Sequence, residues 1–214
     1  MKRDWDKIYL EKGVVQKGVL PLVEEASLLF KREGVVRVLD LGCGTGRHLA
    51  YFAGMGFTVY GVDVSEKALE MAKDFLSSEG FSGVVLKKAD MRSLPYEDNF
   101  FDAVVATWVI NHALMKDIAV AVREIRRVLN SGGFVVLKNL SVNDYNFGVR
   151  PELEPGTFLG DEEGEEDVPH HFFTEKELRS LFSGFKVVKL KEVSHVSERS
   201  GKMRMSFDLI ARKK

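Results

Sequence analysis

Short apolar runs alternate with amphipathic stretches along most of this chain. The apolar runs predict strands over residues 35–40, 57–62, 83–88, 101–107 and 133–139. Apolar positions recurring every three or four residues predict helices over 46–55, 65–78 and 116–129, with Ser65 as an N-cap of the second. An earlier helix over 20–32, opened by Pro21, puts Leu22, Ala26 and Leu29 on one face. Strand and helix in alternation predict an α/β fold, a parallel sheet covered on both faces.

The pattern breaks at both ends. Trp5 to Gly18 mixes aromatic and charged residues and reads as an irregular segment. Residues 141–168 are polar and rich in Gly, Pro and acids, too long for an ordinary connector. Thr174 and Glu177 have capping-box spacing at the start of a helix reaching Phe182. Residues 185–193 and 203–211 then read as a terminal antiparallel hairpin.

The first strand ends in the most informative stretch. Asp40 closes the strand, and Gly42, Gly44 and Gly46 follow at alternate positions before a helix begins. A strand that stops at a glycine turn and feeds a helix brings backbone N–H groups close to a ligand. A dinucleotide fingerprint would need its third glycine where Arg47 stands, and a P-loop would need Gly-Lys-Ser/Thr. An acid inside the turn would repel a pyrophosphate but suits the ammonium of an amino acid. Seventeen residues beyond Gly46, the second strand ends in Asp63, placed to take both hydroxyls of a ribose. The expected ligand has an amino-acid end and a ribose end.

At these residues the chain resembles the class I S-adenosylmethionine-dependent methyltransferases, whose first motif reads much like 38–46. The likeness continues through 61–65, 89–91 and 94–102, and closes with the helix 118–129 and Ser131-Gly132-Gly133-Phe134. It covers roughly residues 35–140. It implies a Rossmann-like, seven-stranded, mostly parallel sheet with an antiparallel C-terminal hairpin strand, and S-adenosylmethionine as cofactor. On the matching positions it implies that Asp40, Gly42, Gly44 and Gly46 hold the methionine end and Asp63 the ribose. Val64 would pack on the adenine, Asp90 would take its amino group beside the Met91 N–H, and Thr107 would line the floor near the sulfonium. The whole of 1–214 then reads as one domain: a cap segment and helix over 1–34, a cofactor-binding core over 35–140, an acidic lid-like loop over 141–173, and a helix and hairpin over 174–214.

Methyl transfer from a sulfonium needs alignment more than a large catalytic apparatus, so acceptor-side residues are sparse. His112, five residues after Thr107, is the first candidate for a base or acceptor ligand, since histidine titrates near neutral pH. His170 and His171, which follow the acidic run 161–167, are further catalytic candidates on the acceptor side, with one of the pair expected to point inward. No third ligand at convincing spacing accompanies that pair, so no metal site is expected. His48 reads as structural, and His195 has no assigned role. The acidic run reads either as a solvated loop or as a lid favouring a cationic acceptor. Trp5 and Tyr9 read as either a cofactor cover or simple hydrophobic docking.

Composition narrows the acceptor. A net charge of −1 gives no general attraction to nucleic acid or anionic membrane. The C-terminal basic residues Arg199, Lys202, Arg204, Arg212, Lys213 and Lys214 read as surface. The Asn/Asp-Pro-Pro-aromatic motif used by base-amino methyltransferases is missing after Thr107, where the chain reads Trp108-Val109-Ile110. Cys43, the one cysteine, is committed to the turn and excludes an intrachain disulfide. No apolar run has membrane-spanning length, and no signal-peptide core follows the first five residues. The expectation is a cytoplasmic methyltransferase acting on a small-molecule acceptor. An RNA or protein acceptor, or a non-catalytic S-adenosylmethionine-binding module, is the alternative.

Overall fold

The computed structural model describes residues 5–14, 18–160, 165–197 and 201–214. The apolar runs form strands β1 (Arg37–Leu41), β2 (Thr58–Asp63), β3 (Val85–Lys88), β4 (Phe101–Thr107) and β5 (Leu129–Leu140). Between or before them lie helices α2 (Pro21–Arg32), α3 (Arg47–Gly54), α4 (Glu66–Ser78) and α5 (Met115–Val128). After α6 (Glu175–Leu181) come β9 (Phe185–Val196) and β10 (Met203–Lys213). These seven strands lie in the order β3-β2-β1-β4-β5-β10-β9, parallel except where β10 runs antiparallel to its neighbours β5 and β9. The chain starts at a central strand and winds outward both ways, so the order switches between β1 and β4. At such a switch the strand ends diverge and leave a crevice for a ligand.

Both faces of the central strands β1, β4 and β5 are buried, which is why these are apolar runs rather than alternating ones. One face, with Leu39, Val104, Val135 and Leu137, packs on Ile118, Val122 and Ile125 of α5. The other, with Val38, Val105, Val136 and Ile210, packs on Phe30 of α2 and Phe52 of α3. Both expected helix starts form: Ala68 N donates to Ser65 Oγ at 3.0 Å. Thr174 and Glu177 close a reciprocal capping box.

The two irregular regions are more ordered than the sequence pattern indicates. Trp5–Lys12 is a helix, α1, where an irregular segment is expected. Its apolar stripe is weak, and tertiary docking supports it instead. Ile8 is buried, and the Asp6 carboxylate accepts hydrogen bonds from Ser65 Oγ (2.6 Å) and Lys67 N (3.0 Å) at the start of α4. The segment expected to be a loop over 141–173 carries a small antiparallel sheet, β6 (Glu152–Glu154), β7 (Thr157–Leu159) and β8 (Pro169–His171). Phe147, Phe158 and Phe172 pack edge to face beneath it. Of the acidic run, 161–164 lie outside the described residues; Glu166 and Asp167 are exposed, and Glu165 is buried.

Candidate active site

The glycine turn between β1 and α3 is shaped by contacts that no side chain tolerates. Gly42 has φ +67°, and a Cβ there would lie 2.4 Å from Val109 Cγ2. Gly44 has φ +52°, and its Cβ would lie 2.9 Å from the Tyr9 hydroxyl of α1. Gly46 has φ +91° and opens α3 against Ala72 of α4. Backbone hydrogen bonds lock the turn to β2, with Gly42 N and Cys43 N both donating to the Val62 carbonyl (2.7 and 3.0 Å). The Asp63 carboxylate completes it, accepting from Gly44 N at 2.8 Å and Ser65 N at 2.9 Å.

Two buried carboxylates therefore face one turn. Asp40 is 2% exposed, and its Oδ2 has no hydrogen-bond partner among the described residues. Burial pushes its pKa up to about 7, Arg47 partly opposes that shift, and Asp63 adds to it. Burial also raises the pKa of Asp63, against the backbone N–H groups it accepts from. An orphaned buried carboxylate oxygen beside a side-chain-free turn fits the ammonium end of a methionine-derived ligand.

This pKa gives a testable pH dependence. In the empty protein Asp40 holds a proton below about pH 7, whereas an ammonium ligand favours the carboxylate. Affinity for S-adenosylhomocysteine, measured by calorimetry, should fall roughly tenfold per pH unit below 7 and level off above it. Asp40→Asn should flatten the profile; a flat profile in the unmodified protein would remove Asp40 from the ligand site.

A cavity of about 520 Å³ runs from this turn to the far side of the sheet edge. Thr107 lies on its wall, as do Trp5 and Tyr9 of α1, which cover it. His112 and His170 reach the same cavity from different segments, their ring centroids 4.7 Å apart. Trp5 stacks edge-on to His112 at 5.2 Å, and His170 Nε2 lies 3.1 Å from Glu165 Oε2.

His171 is not with them. Adjacent residues on a strand point to opposite faces, so β8 sends His170 to the cavity and His171 into the core. His171 Nδ1 is 2.7 Å from Thr157 Oγ1, its ring packs on Phe173, and burial lowers its pKa.

The residues expected on the adenine side lie apart from the cavity. Val64 is half-exposed just beyond β2, and the Met91 side chain packs on the core. The Asp90 carboxylate is held by Arg92 through Nε at 2.9 Å and Nη2 at 2.6 Å.

The remaining wall is one that sequence reasoning missed. Cross-strand pairing sets Asp208 of β10 opposite Lys138 of β5, and Arg204 of β10 opposite His195 of β9. Lys138 Nζ bonds Asp208 at 2.7 Å, and Arg204 Nε bonds Asp144 at 2.8 Å, both pairs buried. Arg204 is thus a buried cavity residue and not the surface cation its neighbours in sequence imply, while Arg199 lies outside the described residues. Trp108 leans over this wall, 5.2 Å from the His195 ring and 5.5 Å from Lys138 Nζ. Its backbone is left-handed, φ 60°, a conformation costing about 1–3 kcal/mol that β5 holds in place by accepting its N–H on the Lys138 carbonyl. Burial lowers the pKa of His195 to about 4, with Lys138 and Arg204 adding to the shift, so the ring is neutral at pH 7. His48, also on the wall, is held neutral by burial with a pKa near 3.

Known proteins share the fold and its central stretch of sequence. Residues 39–137 match the family model described as a methyltransferase domain. The chain is 39% identical over 109 residues to methyltransferase GfsG of Streptomyces halstedii, covering 50% of this chain and 38% of that protein. It is 39% identical over 108 residues to demethylmenaquinone methyltransferase of Staphylococcus aureus strain MRSA252, covering 49% of this chain and 43% of the relative. The chain thus spans less than half the length of either relative. A solved SAM-dependent methyltransferase from Methanosarcina mazei superposes with a TM-score of 0.75 at 25% identity, covering 91% of this chain and 98% of that one. The strand order, the glycine turn with its two acids and the matched stretch agree: residues 39–137 carry a class I S-adenosylmethionine-dependent methyltransferase domain.

Proposed function

We propose that this chain transfers a methyl group from S-adenosylmethionine to a small-molecule acceptor bound in the 520 Å³ cavity. The observation that carries this reading is one cavity joining the glycine turn to His112 and His170 beneath α1. A volume of that size suits a small ligand. The demethylmenaquinone methyltransferase among the relatives carries the name of a small-molecule acceptor.

Asp40 and the glycine turn hold the methionine end, Asp63 the ribose, and Val64, Asp90 and the Met91 N–H the adenine. Asp90 accepts the adenine amino group by giving up part of its contact with Arg92. The cofactor supplies a methyl group already activated on sulfur. Thr107 floors the cavity next to the turn, and α1 excludes water from above. His112 and His170 stand on the acceptor side, with Glu165 fixing the His170 ring. Alignment within a closed site is the main contribution such an enzyme makes. His171, turned into the core, is left with a packing role. None of the described helices is long and apolar enough to cross a membrane. We assign the activity to the cytoplasm, in keeping with a single, buried cysteine.

The test is transfer of isotope-labelled methyl from S-adenosylmethionine into size-fractionated cell extract. Label in the low-mass pool is expected. Label confined to RNA or protein, or bound cofactor with no transfer to any fraction, would overturn the proposal.

A further inference from the structure

Folding separates the histidine pair that sequence spacing leaves without a third ligand. His170 parts from His171 and meets His112, 58 residues earlier in the chain, together with Glu165. Each of the three offers one ligand atom, and these atoms lie within 4.8 Å of one another. Ligands sharing an ion at about 2.1 Å sit roughly 3–3.5 Å apart, so side-chain adjustments of about 1 Å close the set. His170 and Glu165 are already in contact, His170 Nε2 lying 3.1 Å from Glu165 Oε2.

We infer that His112, Glu165 and His170 form a binding site for a divalent transition-metal ion on the acceptor side of the cavity. Two imidazoles and one carboxylate suit zinc, manganese, iron or cobalt better than calcium or magnesium, which favour all-oxygen sets. Three protein ligands leave further positions open, the arrangement of catalytic rather than structural sites. Here the open side is the cavity wall.

A second, independent observation favours an ion. His170 is 3% exposed, and its Nδ1 has no hydrogen-bond partner among the described residues. If Nε2–H donates to Glu165, a buried Nδ1 lone pair is left unmet, which a hydrogen-bonded pair alone does not explain. An ion on Nδ1 would meet that lone pair and keep Nε2 as the N–H held by Glu165, whose charge offsets half of a divalent charge. Trp5 covers His112 from the outside.

The role of the ion, though not the site, rests on the small-molecule methyl-transfer reading. An acceptor hydroxyl or thiol drawn to the open positions would lose its proton to water more readily. The O–H or S–H electron pair then stays on the acceptor atom, facing the glycine turn.

The experiment uses the full chain, stripped with chelator and titrated with Zn²⁺, Mn²⁺ or Co²⁺ without cofactor or acceptor. Calorimetry and elemental analysis should give one ion per chain. The Co²⁺ form should show visible absorption bands from nitrogen ligation. His170→Ala should weaken binding by about tenfold or more. The half-exposed His112→Asn, with an unchanged melting temperature, should do the same and keeps the test valid if the buried variant misfolds. His195→Ala, also on the cavity wall, should bind as the unmodified protein does. No saturable binding, or binding equally tight in His112→Asn and His170→Ala, would overturn the site. Because the readout needs no methyl transfer, this outcome is separate from failure of the proposed activity.

Discussion

Asp63→Ala will weaken S-adenosylmethionine binding by well over tenfold, about 1.4 kcal/mol or more. Two losses combine. The ribose hydroxyls lose a charge-assisted, two-oxygen acceptor. The turn loses the carboxylate that fixes Gly44 N and Ser65 N, at 2.8 and 2.9 Å. Asp63→Asn separates the two, because its amide oxygen still accepts one backbone N–H while the charge is gone. It should retain most of the empty protein's melting temperature and still bind cofactor poorly. Calorimetric affinity equal to that of the unmodified protein would show that the ribose is held elsewhere.

Asp144→Ala will cause the largest loss of stability. Asp144 sits in the segment after β5 and is fully buried against the hairpin. Its Oδ2 accepts from both Arg204 Nε and Met205 N at 2.8 Å, and its Oδ1 accepts from Asn146 N at 3.0 Å. Removing it takes the carboxylate from a buried guanidinium and strands two backbone N–H groups. Breaking a buried pair from one side costs about 3–5 kcal/mol. For a domain of this size that is a drop of roughly 10 °C in Tm. Because the same contact ties the hairpin to the cavity wall, acceptor binding should suffer more than cofactor binding. A change in unfolding free energy under about 1 kcal/mol would show that Asp144 does not act as this clamp.

What sequence reading reached and what it missed divide along the distance over which each contact forms. The proposed cofactor half of the site is local. Asp40 and the three glycines occupy one strand–turn–helix, and Asp63 ends the neighbouring strand, so order and spacing alone place them together. The proposed acceptor half is not local. Lys138 meets Asp208 only through antiparallel pairing seventy residues apart, and Arg204 meets Asp144 across sixty. In sequence, Arg204 is one basic residue among several near the C-terminus, and nothing there signals burial. Glu165 is likewise one acid in an acidic run, yet it alone of Glu165, Glu166 and Asp167 turns inward. The α1 helix escaped notice because its support is Asp6 on the start of α4 and not a stripe of its own. Adjacency in sequence does not say which of His170 and His171 faces the cavity: on a strand, neighbours in sequence face away from each other.

The most direct measurement is a crystal structure with S-adenosylhomocysteine bound. The ligand's ammonium should meet Asp40, its ribose hydroxyls Asp63, and its sulfur should face the cavity shared by Thr107, His112 and His170. A product whose sulfur points away from that cavity, or whose amino-acid end lies elsewhere than the glycine turn, would be incompatible with methyl transfer at this site.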